Sequence, residues 1–316
     1  MQATTSHLGS VRLNGARLLA ARLALAGLVL LAAALLGACR RDHSSASVTA
    51  APAAAEIIEN KGSDTLVNLA LAWAERYMQE HPEVRISVTG GGSGTGIAAL
   101  INGTVDIANA SRALKEEEIS AAQNAGFEAK QVAVAMDAIA VVVHPSNPID
   151  ELTIPQLADI FTGRITNWRE VGGPDRPIVL LSRESNSGTY VYFLEHVIRQ
   201  GQADNRDLFS PGALLMPSSE GISNEVRQNP NAIGYDGLGY VTADQKTLRI
   251  APRAGAVAVA PTVETVVQGT YPIARPMFFY TPPNPPEHVA KYIAWVLAPE
   301  GQALIKEKGY IPLEAK

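Results

Sequence analysis

The 316-residue sequence contains one cysteine, Cys39, so an intramolecular disulfide is excluded. Its six histidines are scattered and never take the paired spacing of a metal site, and we expect neither a metal nor any other cofactor. Aromatic residues make up only 6% of the chain. Where they cluster, in the run YPIARPMFFY at 271–280, the apolar pattern predicts a buried strand and not a cofactor site.

Basic residues are also few, and the whole chain has a net charge of −5. Residues 1–38 contain Arg12, Arg17 and Arg22 and no acidic residue, so the chain from Cys39 onward has 23 basic and 31 acidic residues and a net charge of −8. Binding to nucleic acid needs clustered lysine and arginine, and an acidic body argues against such a partner. Any anion site must therefore depend on local geometry.

The N-terminus has the pattern of a signal peptide, predicted over residues 1–38. The three arginines precede an uncharged apolar run at 23–36, which is shorter than the roughly 20 residues that span a membrane. Small residues directly before Cys39 resemble a bacterial lipobox, which implies cleavage there and lipid modification of Cys39. A plain signal peptide or an uncleaved anchor is the alternative. We interpret 39–55 as a lipidated cysteine and a flexible tether, whose small, polar residues 40–55 could reach about 50 Å.

From residue 56 onward, short β-like runs alternate with helical stretches, which predicts an α/β fold with largely parallel strands. The longest β-like run, at 132–144, exceeds the about 5–6 residues that are usual for one strand. A strand that leaves one lobe and enters a second would explain its length. The predicted lobes are 56–140 plus 242–316 for lobe I and 141–241 for lobe II. Further predicted elements are helices at 115–124, 154–161, 189–200 and 288–297, the last of them ending before Pro299, and strands at 178–181 and 232–241.

Four loops share one design, because each ends a β-like run and begins a helix-like run. They contain small hydroxyl-bearing residues and two arginines: Ser63, Asp64 and Thr65; Ser93, Gly94 and Thr95; Ser111 and Arg112; and Arg183 with Ser187, Gly188 and Thr189. In open α/β sheets such loops gather at the carboxyl ends of the strands, where ligands bind. Helix N-termini, hydroxyls and an arginine fork supply many directed donors with little bulk, which suits a small tetrahedral anion.

Each loop alone is weak evidence, since serine, threonine and aspartate are ordinary N-cap residues. The recurrence across four loops favours an anion site. Asp64 and Asp137 would repel an anion unless it carries a proton, as hydrogen phosphate does near neutral pH and sulfate does not, so a carboxylate in the site would select phosphate. The alternative for Asp64 is a helix cap. For Asp137 it is a polar residue at a strand bend, or an ion pair with Arg112 or Arg183.

Three motifs of nucleotide-binding or catalytic sites are excluded by the spacing or the context of their residues. Gly91 and Gly96 are followed by Ile97 and not by lysine, which excludes a nucleotide phosphate loop. GTGIAA at 94–99 fits a dinucleotide-binding pattern, but the acids at the expected distance open a helix instead of closing a strand. Ser93 lacks the second glycine of a nucleophile elbow. No catalytic residue is therefore predicted.

Taken in order, nine segments resemble the phosphate-binding proteins of bacterial phosphate ABC transporters, which have a periplasmic-binding-protein fold of the second type. They are GSDTL at 62–66, GGGSGTG at 90–96, ANASR at 108–112, DAIAVVVHP at 137–145, FTGRITNW at 161–168, RESNSGT at 183–189, AIGYDGLGY at 232–240, YPIARP at 271–276 and GYIPL at 309–313. Any one segment would be unspecific, whereas the ordered set from about residue 57 to 313 is specific.

The resemblance implies two α/β lobes joined by crossing strands, with one phosphate buried in a cleft between them. Carried over residue by residue, the implied phosphate contacts are Asp64, Thr65, Ser93, Ser111, Arg183, Ser187, Gly188 and Thr189. Some members of the family have threonine at the position of Asp64, and well-known members have aspartate at the position of Arg112. We infer that the proton-accepting carboxylate has moved to Asp64 or Asp137, while Arg112 adds positive charge. Ser63 completes the predicted ligand-binding set.

The leading hypothesis is a receptor outside the cytoplasmic membrane, and not an enzyme, that captures inorganic phosphate and delivers it to an ABC permease with its ATPase. Closure of the lobes would be the signal that the permease reads. The receptor is expected to be a monomer held at the membrane by lipid on Cys39. The alternatives are a binder of sulfate, molybdate or tungstate, a phosphate-ester hydrolase, and a sensing or adhesive lipoprotein that binds phosphate without transport.

Overall fold

The computed structural model describes residues 55–313, which form the predicted α/β fold. The strands are β1 (Glu56–Gly62), β2 (Val84–Thr89), β3 (Ile107–Ala110), β4 (Lys130–Val143), β5 (Glu151–Thr153), β6 (Val179–Arg183), β7 (Leu214–Met216), β8 (Ala232–Gly237), β9 (Lys246–Thr247), β10 (Arg249–Ala251) and β11 (Ala274–Thr281). The α-helices are α1 (Asp64–Glu80), α2 (Ser93–Ile101), α3 (Glu116–Asn124), α4 (Ile154–Thr162), α5 (Gly188–Phe193), α6 (Ser219–Gln228), α7 (Val263–Val267), α8 (Glu287–Leu297) and α9 (Pro299–Glu307). Short 3-10 helices lie at Trp168–Val171 and Leu238–Tyr240, and a π-helix at Leu194–Ile198 continues α5.

The main sheet has the strand order β2-β1-β3-β11-β4-β8-β6-β7, with β9 paired to β4 off this path. On one wing β1 pairs in parallel with β2 and β3, and on the other β6 pairs in parallel with β7 and β8. In the middle, β11 and β4 run antiparallel to each other and to their outer neighbours. The predicted parallel pairing therefore holds for both wings and does not extend to the strands between them.

The long strand β4 joins the two wings, as the sequence predicts. It has 14 residues; its first part pairs with β11, whereas residues 139–143 pair with β8. Each wing has a core of its own. Trp73 and Phe279 are buried in one core, and Phe161 and Trp168 are buried in the other. The fold is thus two-lobed, with β4 passing from one lobe into the other.

The lobe limits stay a prediction, and one of them is at odds with the strand pairing. β9 and β10 belong to the range that the sequence assigns to lobe I, yet they pair with β4 and β5. Leu248 and Ile250 are also buried in the core that contains Phe161. These contacts favour placing residues 246–251 with the second lobe.

Helix α4 shows how local sequence sets an element's ends. Thr153 precedes it, and the Thr153 hydroxyl accepts from Gln156 N at 3.2 Å while Gln156 Oε1 accepts from Thr153 N at 2.9 Å. This reciprocal capping box satisfies two backbone donors at the helix start. The helix ends at Gly163, whose φ of 82° lies in the left-handed region that favours glycine.

One predicted position in the order of helices and two predicted element ends are wrong. The helix predicted at 288–297 is not the last one, because α9 begins at Pro299. Proline is tolerated at the first helical position, where its missing N–H group would have no intrahelical acceptor. The strand predicted at 232–241 stops at Gly237 and a 3-10 turn follows. The helix predicted at 189–200 becomes π-helical at Leu194.

In the described part of the chain, no helix combines the length and the apolar character that crossing a membrane would require. Between residues 55 and 313, no three side chains of histidine, cysteine, aspartate or glutamate gather closely enough to hold a metal ion.

The topology places the polar loops together. α1, α2 and α5 follow β1, β2 and β6, so their first turns stand at the carboxyl ends of parallel strands. β3 ends at Ala110, directly before Ser111. Because β4 carries the chain between the lobes, loops of both lobes can meet where the wings of the sheet adjoin.

Candidate functional site

Four hydroxyl side chains from four elements meet in the interior. Thr65 in α1 and Thr189 in α5 have Oγ1 atoms 2.9 Å apart, although 124 residues separate them in sequence. Ser93 begins α2 and Ser111 follows β3; their Oγ atoms are 3.3 Å apart, and Ser111 N donates to Ser93 Oγ at 3.1 Å. None of these four residues is more than 1% exposed. We call Thr65, Ser93, Ser111 and Thr189 the hydroxyl cluster.

Gly188 brings the backbone of α5 against this cluster. A Cβ atom at Gly188 would lie 2.3 Å from Ser93 Oγ and 2.4 Å from Ser111 Oγ. No side chain fits at such distances, so the approach requires glycine. The neighbouring Ser187 hydroxyl accepts from Thr189 N at 3.2 Å and from the next backbone N–H at 3.4 Å. Ser187 therefore caps α5, the ordinary role of a serine before a helix.

The glycine loop at 90–96 and the loop at 183–189 are also in contact. Gly94 N donates to the Asn186 carbonyl at 3.0 Å. The Asn186 side chain donates to the Gly91 carbonyl at 3.0 Å and to Thr95 Oγ1 at 3.3 Å. Gly92 has a φ of 90°, and a Cβ there would lie 2.8 Å from the Asn186 carbonyl oxygen. The two lobes are therefore closed on each other at these loops.

Asp64 and Arg183 form an ion pair between the lobes. Arg183 Nη2 donates to Asp64 Oδ2 at 2.7 Å, and the arginine side chain is 1% exposed. Asp64 Oδ1 accepts from Gly91 N at 3.0 Å. Other donors of Arg183 contact Ser219 Oγ at 3.0 Å and the carbonyl groups of residues 216 and 217. Arg183 therefore faces the interior, but most of its donors already bind protein groups.

Asp137 is paired with Arg275, and neither of the two ion pairs predicted for it, with Arg112 or with Arg183, is found. Arg275 Nε and Nη2 donate to Asp137 Oδ2 at 3.2 and 3.0 Å, and Asp137 Oδ1 accepts from Leu238 N at 3.2 Å. Both partners are at most 1% exposed. Burial raises the pKa of Asp137, and the charge and hydrogen bonds of Arg275 oppose that rise. The pair also touches the hydroxyl cluster, because Arg275 Nη2 donates to Thr189 Oγ1 at 2.9 Å.

Arg275 is not among the residues that the sequence predicts for the site. It lies in β11 directly opposite Asp137, within the segment predicted as a buried strand. A charged side chain in a strand that is otherwise apolar is the signal that could have identified it, because a buried arginine requires a partner. Which partner it would have depends on the antiparallel pairing of β11 with β4, which no local pattern predicts.

Arg112 is paired with an acid of its own lobe. Its Nη1 and Nη2 donate to the two carboxylate oxygens of Glu118, each at 2.7 Å, and Nη1 also donates to the Ala113 carbonyl. Such a bidentate pair directs the guanidinium at the start of α3. The charge that the sequence predicts at Arg112 is therefore neutralised locally. Ser63 is buried at the start of α1, and its backbone N–H donates to Asn109 O at 3.0 Å.

Asp236 in β8 is a second buried acid that the sequence does not single out. It is 1% exposed; its Oδ1 accepts from Gly237 N at 2.8 Å, and its Oδ2 has no hydrogen-bond partner among residues 55–313. Burial raises the pKa of Asp236 to about 7, with the charge of Arg183 opposing the rise. Asp236 is therefore substantially protonated near neutral pH. The next residue, Gly237, approaches both Thr65 and Asp137, which places this acid beside the site.

The architecture and the ordered motifs have counterparts among known proteins. A family model described as a PBP superfamily domain matches residues 47–300. The phosphate-binding protein PstS of Pseudomonas aeruginosa is 36% identical over 276 residues, covering 82% of this chain and 84% of that protein. The chain belongs to this family of phosphate-binding proteins. The PstS of Bacillus subtilis, in the same family, is 30% identical over 256 residues, covering 80% of this chain and 79% of that protein.

Solved structures of the family agree with the fold. A protein from Clostridium perfringens, described as a phosphate ABC transporter substrate-binding protein and solved with bound phosphate, superposes with a TM-score of 0.74 at 33% identity, covering 82% of this chain and all of that one. An ABC-type phosphate transport receptor from Vibrio cholerae superposes with a TM-score of 0.64 at 32% identity. The predicted family and the two-lobe α/β fold are confirmed. The relatives are named for binding and transport and not for catalysis, in agreement with the prediction that the protein is not an enzyme.

The structure brings most of the predicted ligand-binding residues into one region. Thr65 contacts Thr189 and Ser93 contacts Ser111, and the two pairs are joined by Gly188, which approaches both serines, and by Arg275. The assignment of these residues to a ligand stays a prediction. Cys39, the predicted lipidation site, lies outside the described residues.

Proposed function

We propose that this protein captures inorganic phosphate and passes it to an ABC permease. The observation that carries the proposal is the hydroxyl cluster: four buried hydroxyls from loops of both lobes, with the Gly188 backbone against them. The names of the relatives support phosphate as the ligand. The hydroxyls can give up their hydrogen bonds to each other and form hydrogen bonds to a small tetrahedral oxyanion instead. No hydroxyl has to be exposed to water in this exchange.

The balance of charge around the cluster favours an anion that carries a proton. Two arginines, Arg183 and Arg275, are each paired with an acid, so the region offers no excess positive charge to a fully deprotonated oxyanion. In both candidate acids each oxygen accepts a hydrogen bond from the protein, so the two differ in burial, and Asp137 is completely buried. Asp64 adjoins Thr65 and its side chain remains 14% exposed. We therefore assign Asp64 as the acceptor of the phosphate proton.

Calorimetric titration of the protein without its predicted signal peptide tests the proposal. The protein should bind phosphate in the presence of excess sulfate, and a failure to bind would contradict it. Asp64→Asn should lower the ratio of phosphate affinity to sulfate affinity by roughly tenfold or more, because an amide can donate to sulfate where a carboxylate repels it. Asp137→Asn is the matched comparison and should leave that ratio closer to the wild-type value. The reverse order would reassign the proton acceptor to Asp137.

The site of action follows from the N-terminal pattern and belongs to the same proposal. We propose that the chain is cleaved before Cys39, lipidated there, and held outside the cytoplasmic membrane by a tether that ends where the described body begins. Metabolic labelling with a radioactive fatty acid should mark the wild type and not Cys39→Ser. A Cys39→Ser protein that is still labelled and still sediments with membranes would contradict the lipid anchor but leave phosphate binding untouched.

A further inference from the structure

The donors of Arg275 contact a residue of each hydroxyl pair in the cluster, Thr189 in one pair and Ser111 in the other. Nη2 donates to Thr189 Oγ1 at 2.9 Å, and Nη1 donates to the Ser111 carbonyl at 3.0 Å. Nε and Nη2 bind Asp137, which fixes the plane of the guanidinium. Arg275 is 1% exposed, so no solvent molecule competes for these contacts at the surface. One buried side chain thus reaches an element of each lobe.

We propose that Arg275 is the positioning residue that orients the Thr189 hydroxyl in the cluster, an inference that rests on the proposed phosphate binding. A guanidinium has no acceptor, so Thr189 Oγ1 must accept from Arg275 and keeps its own hydrogen to donate. If that hydrogen goes to Thr65 Oγ1, the Thr65 hydrogen is left over; if Thr65 donates to Thr189, the Thr189 hydrogen is left over. In either arrangement the pair keeps one hydrogen for a ligand acceptor.

The second hydroxyl pair also accepts a hydrogen bond from the protein. Ser111 N donates to Ser93 Oγ, so the Ser93 hydroxyl also accepts from the protein and keeps its hydrogen to donate. By holding the carbonyl group of Ser111, Arg275 orients the same backbone segment. Each hydroxyl pair therefore keeps one hydrogen to donate, which suits a ligand whose oxygens accept. This is the chemistry of a phosphate oxyanion, with its single proton left for a carboxylate.

Arg275 takes this role in place of the arginine that the sequence points to. Arg183 contacts Asp64, Ser219 and two backbone carbonyl groups, and it donates to none of the four cluster hydroxyls. Arg183 joins the lobes, whereas Arg275 polarises the Thr189 hydroxyl. A charge-assisted donor strengthens the donor capacity of the hydroxyl that accepts from it, because successive hydrogen bonds polarise one another.

A double-mutant cycle on phosphate affinity tests the inference. The paired change Asp137→Asn with Arg275→Gln removes the guanidinium without leaving a buried carboxylate unpaired, and Asp137→Asn alone is its control. The paired change should weaken phosphate binding by roughly 10- to 100-fold relative to that control. Thr189→Val, which keeps the shape and removes the hydroxyl, should weaken binding by a similar factor. The two losses should be far from additive, because both act through the same hydroxyl.

A second cycle combines Thr189→Val with Arg275→Lys, which keeps the charge beside Asp137 but lacks the planar fork. Thr189→Val should cost less affinity in the Arg275→Lys protein than in the wild type. Fully additive losses in either cycle, or wild-type affinity in the paired variant, would overturn the inference, since a merely structural Arg275 gives no coupling to the Thr189 hydroxyl. If the paired variant does not fold, the lysine cycle decides. A wild type without phosphate affinity would instead refute the proposed function.

Discussion

At the scale of single residues, the region around the hydroxyl cluster is organised by buried ion pairs. Asp64 pairs with Arg183 and Asp137 with Arg275, and each pair connects residues more than a hundred positions apart. Asp236 is different, since its Oδ2 is without a hydrogen-bond partner in the described chain. Buried carboxylates without a full set of partners resist ionisation. The protonation of Asp236 should therefore change with pH near neutrality.

We expect Asp236 to make the stability of the protein depend on pH. Its folded-state pKa, raised to about 7 by burial, is above the value of an unfolded chain. The folded protein thus holds the proton more tightly, and the stability contributed by Asp236 is complete below about pH 4 and is lost as the pH rises through about 7. Asp236→Asn should reduce the fall in unfolding free energy between pH 4 and pH 8 by up to about 4 kcal/mol, as urea unfolding at both pH values would measure.

The exposed Asp204 supplies the control for this measurement. Asp204→Asn should follow the wild-type dependence on pH. If Asp236→Asn and the wild type lose the same unfolding free energy over this range, Asp236 does not hold a proton in the folded protein.

At the scale of elements, the sequence predicts where the helices begin better than it predicts what their side chains meet. The alternation of strand and helix places Thr65, Ser93 and Thr189 at helix starts, because local turn and capping patterns specify such positions. Local patterns of this kind do not identify Arg275 and Asp236 as site residues. Their surroundings are created by strand order, with β11 and β8 on either side of β4, and strand order is set by packing over the whole chain.

Gly188 provides a prediction about one element, α5. Gly188→Ala would place a Cβ atom within 2.4 Å of two serine hydroxyls, so the first turn of α5 must shift away from the cluster. We expect phosphate affinity to fall at least tenfold and the free energy of unfolding to drop by about 1–3 kcal/mol. Titration calorimetry and denaturant unfolding measure the two effects.

Gly212 offers the matched control for this change. A methyl group added at Gly212 would lie 3.6 Å from its nearest neighbouring atom, so Gly212→Ala should change neither quantity appreciably. Wild-type phosphate affinity in Gly188→Ala would show that the close approach is not needed for binding.

At the scale of the whole molecule, the closure of the two lobes depends on a few contacts, and these contacts lie outside the two apolar cores. Each lobe has its own apolar core, and β4 runs continuously between them. Across the cleft, by contrast, the contacts are polar: Asp64 with Arg183, Thr65 with Thr189, and Asn186 with the glycine loop. Polar contacts across a cleft add little to the stability of the closed form, and contacts to a ligand can replace them. A ligand can therefore shift the balance between the open and the closed form.

Asn186→Ala should make the protein without phosphate more open. The change removes the two side-chain hydrogen bonds to the Gly91 carbonyl and Thr95 Oγ1 and leaves both lobe cores intact. Each bond contributes about 0.5–1.5 kcal/mol, so the balance between open and closed forms should shift by roughly 5- to 150-fold. Small-angle X-ray scattering should give a larger radius of gyration for the ligand-free variant than for the ligand-free wild type, and saturating phosphate should bring the two values together.

The exposed Asn102, at the end of α2, provides the control change Asn102→Ala, which should match the wild type in both states. Equal radii of gyration for Asn186→Ala and the wild type without phosphate would mean that other contacts across the cleft are sufficient to keep the lobes together.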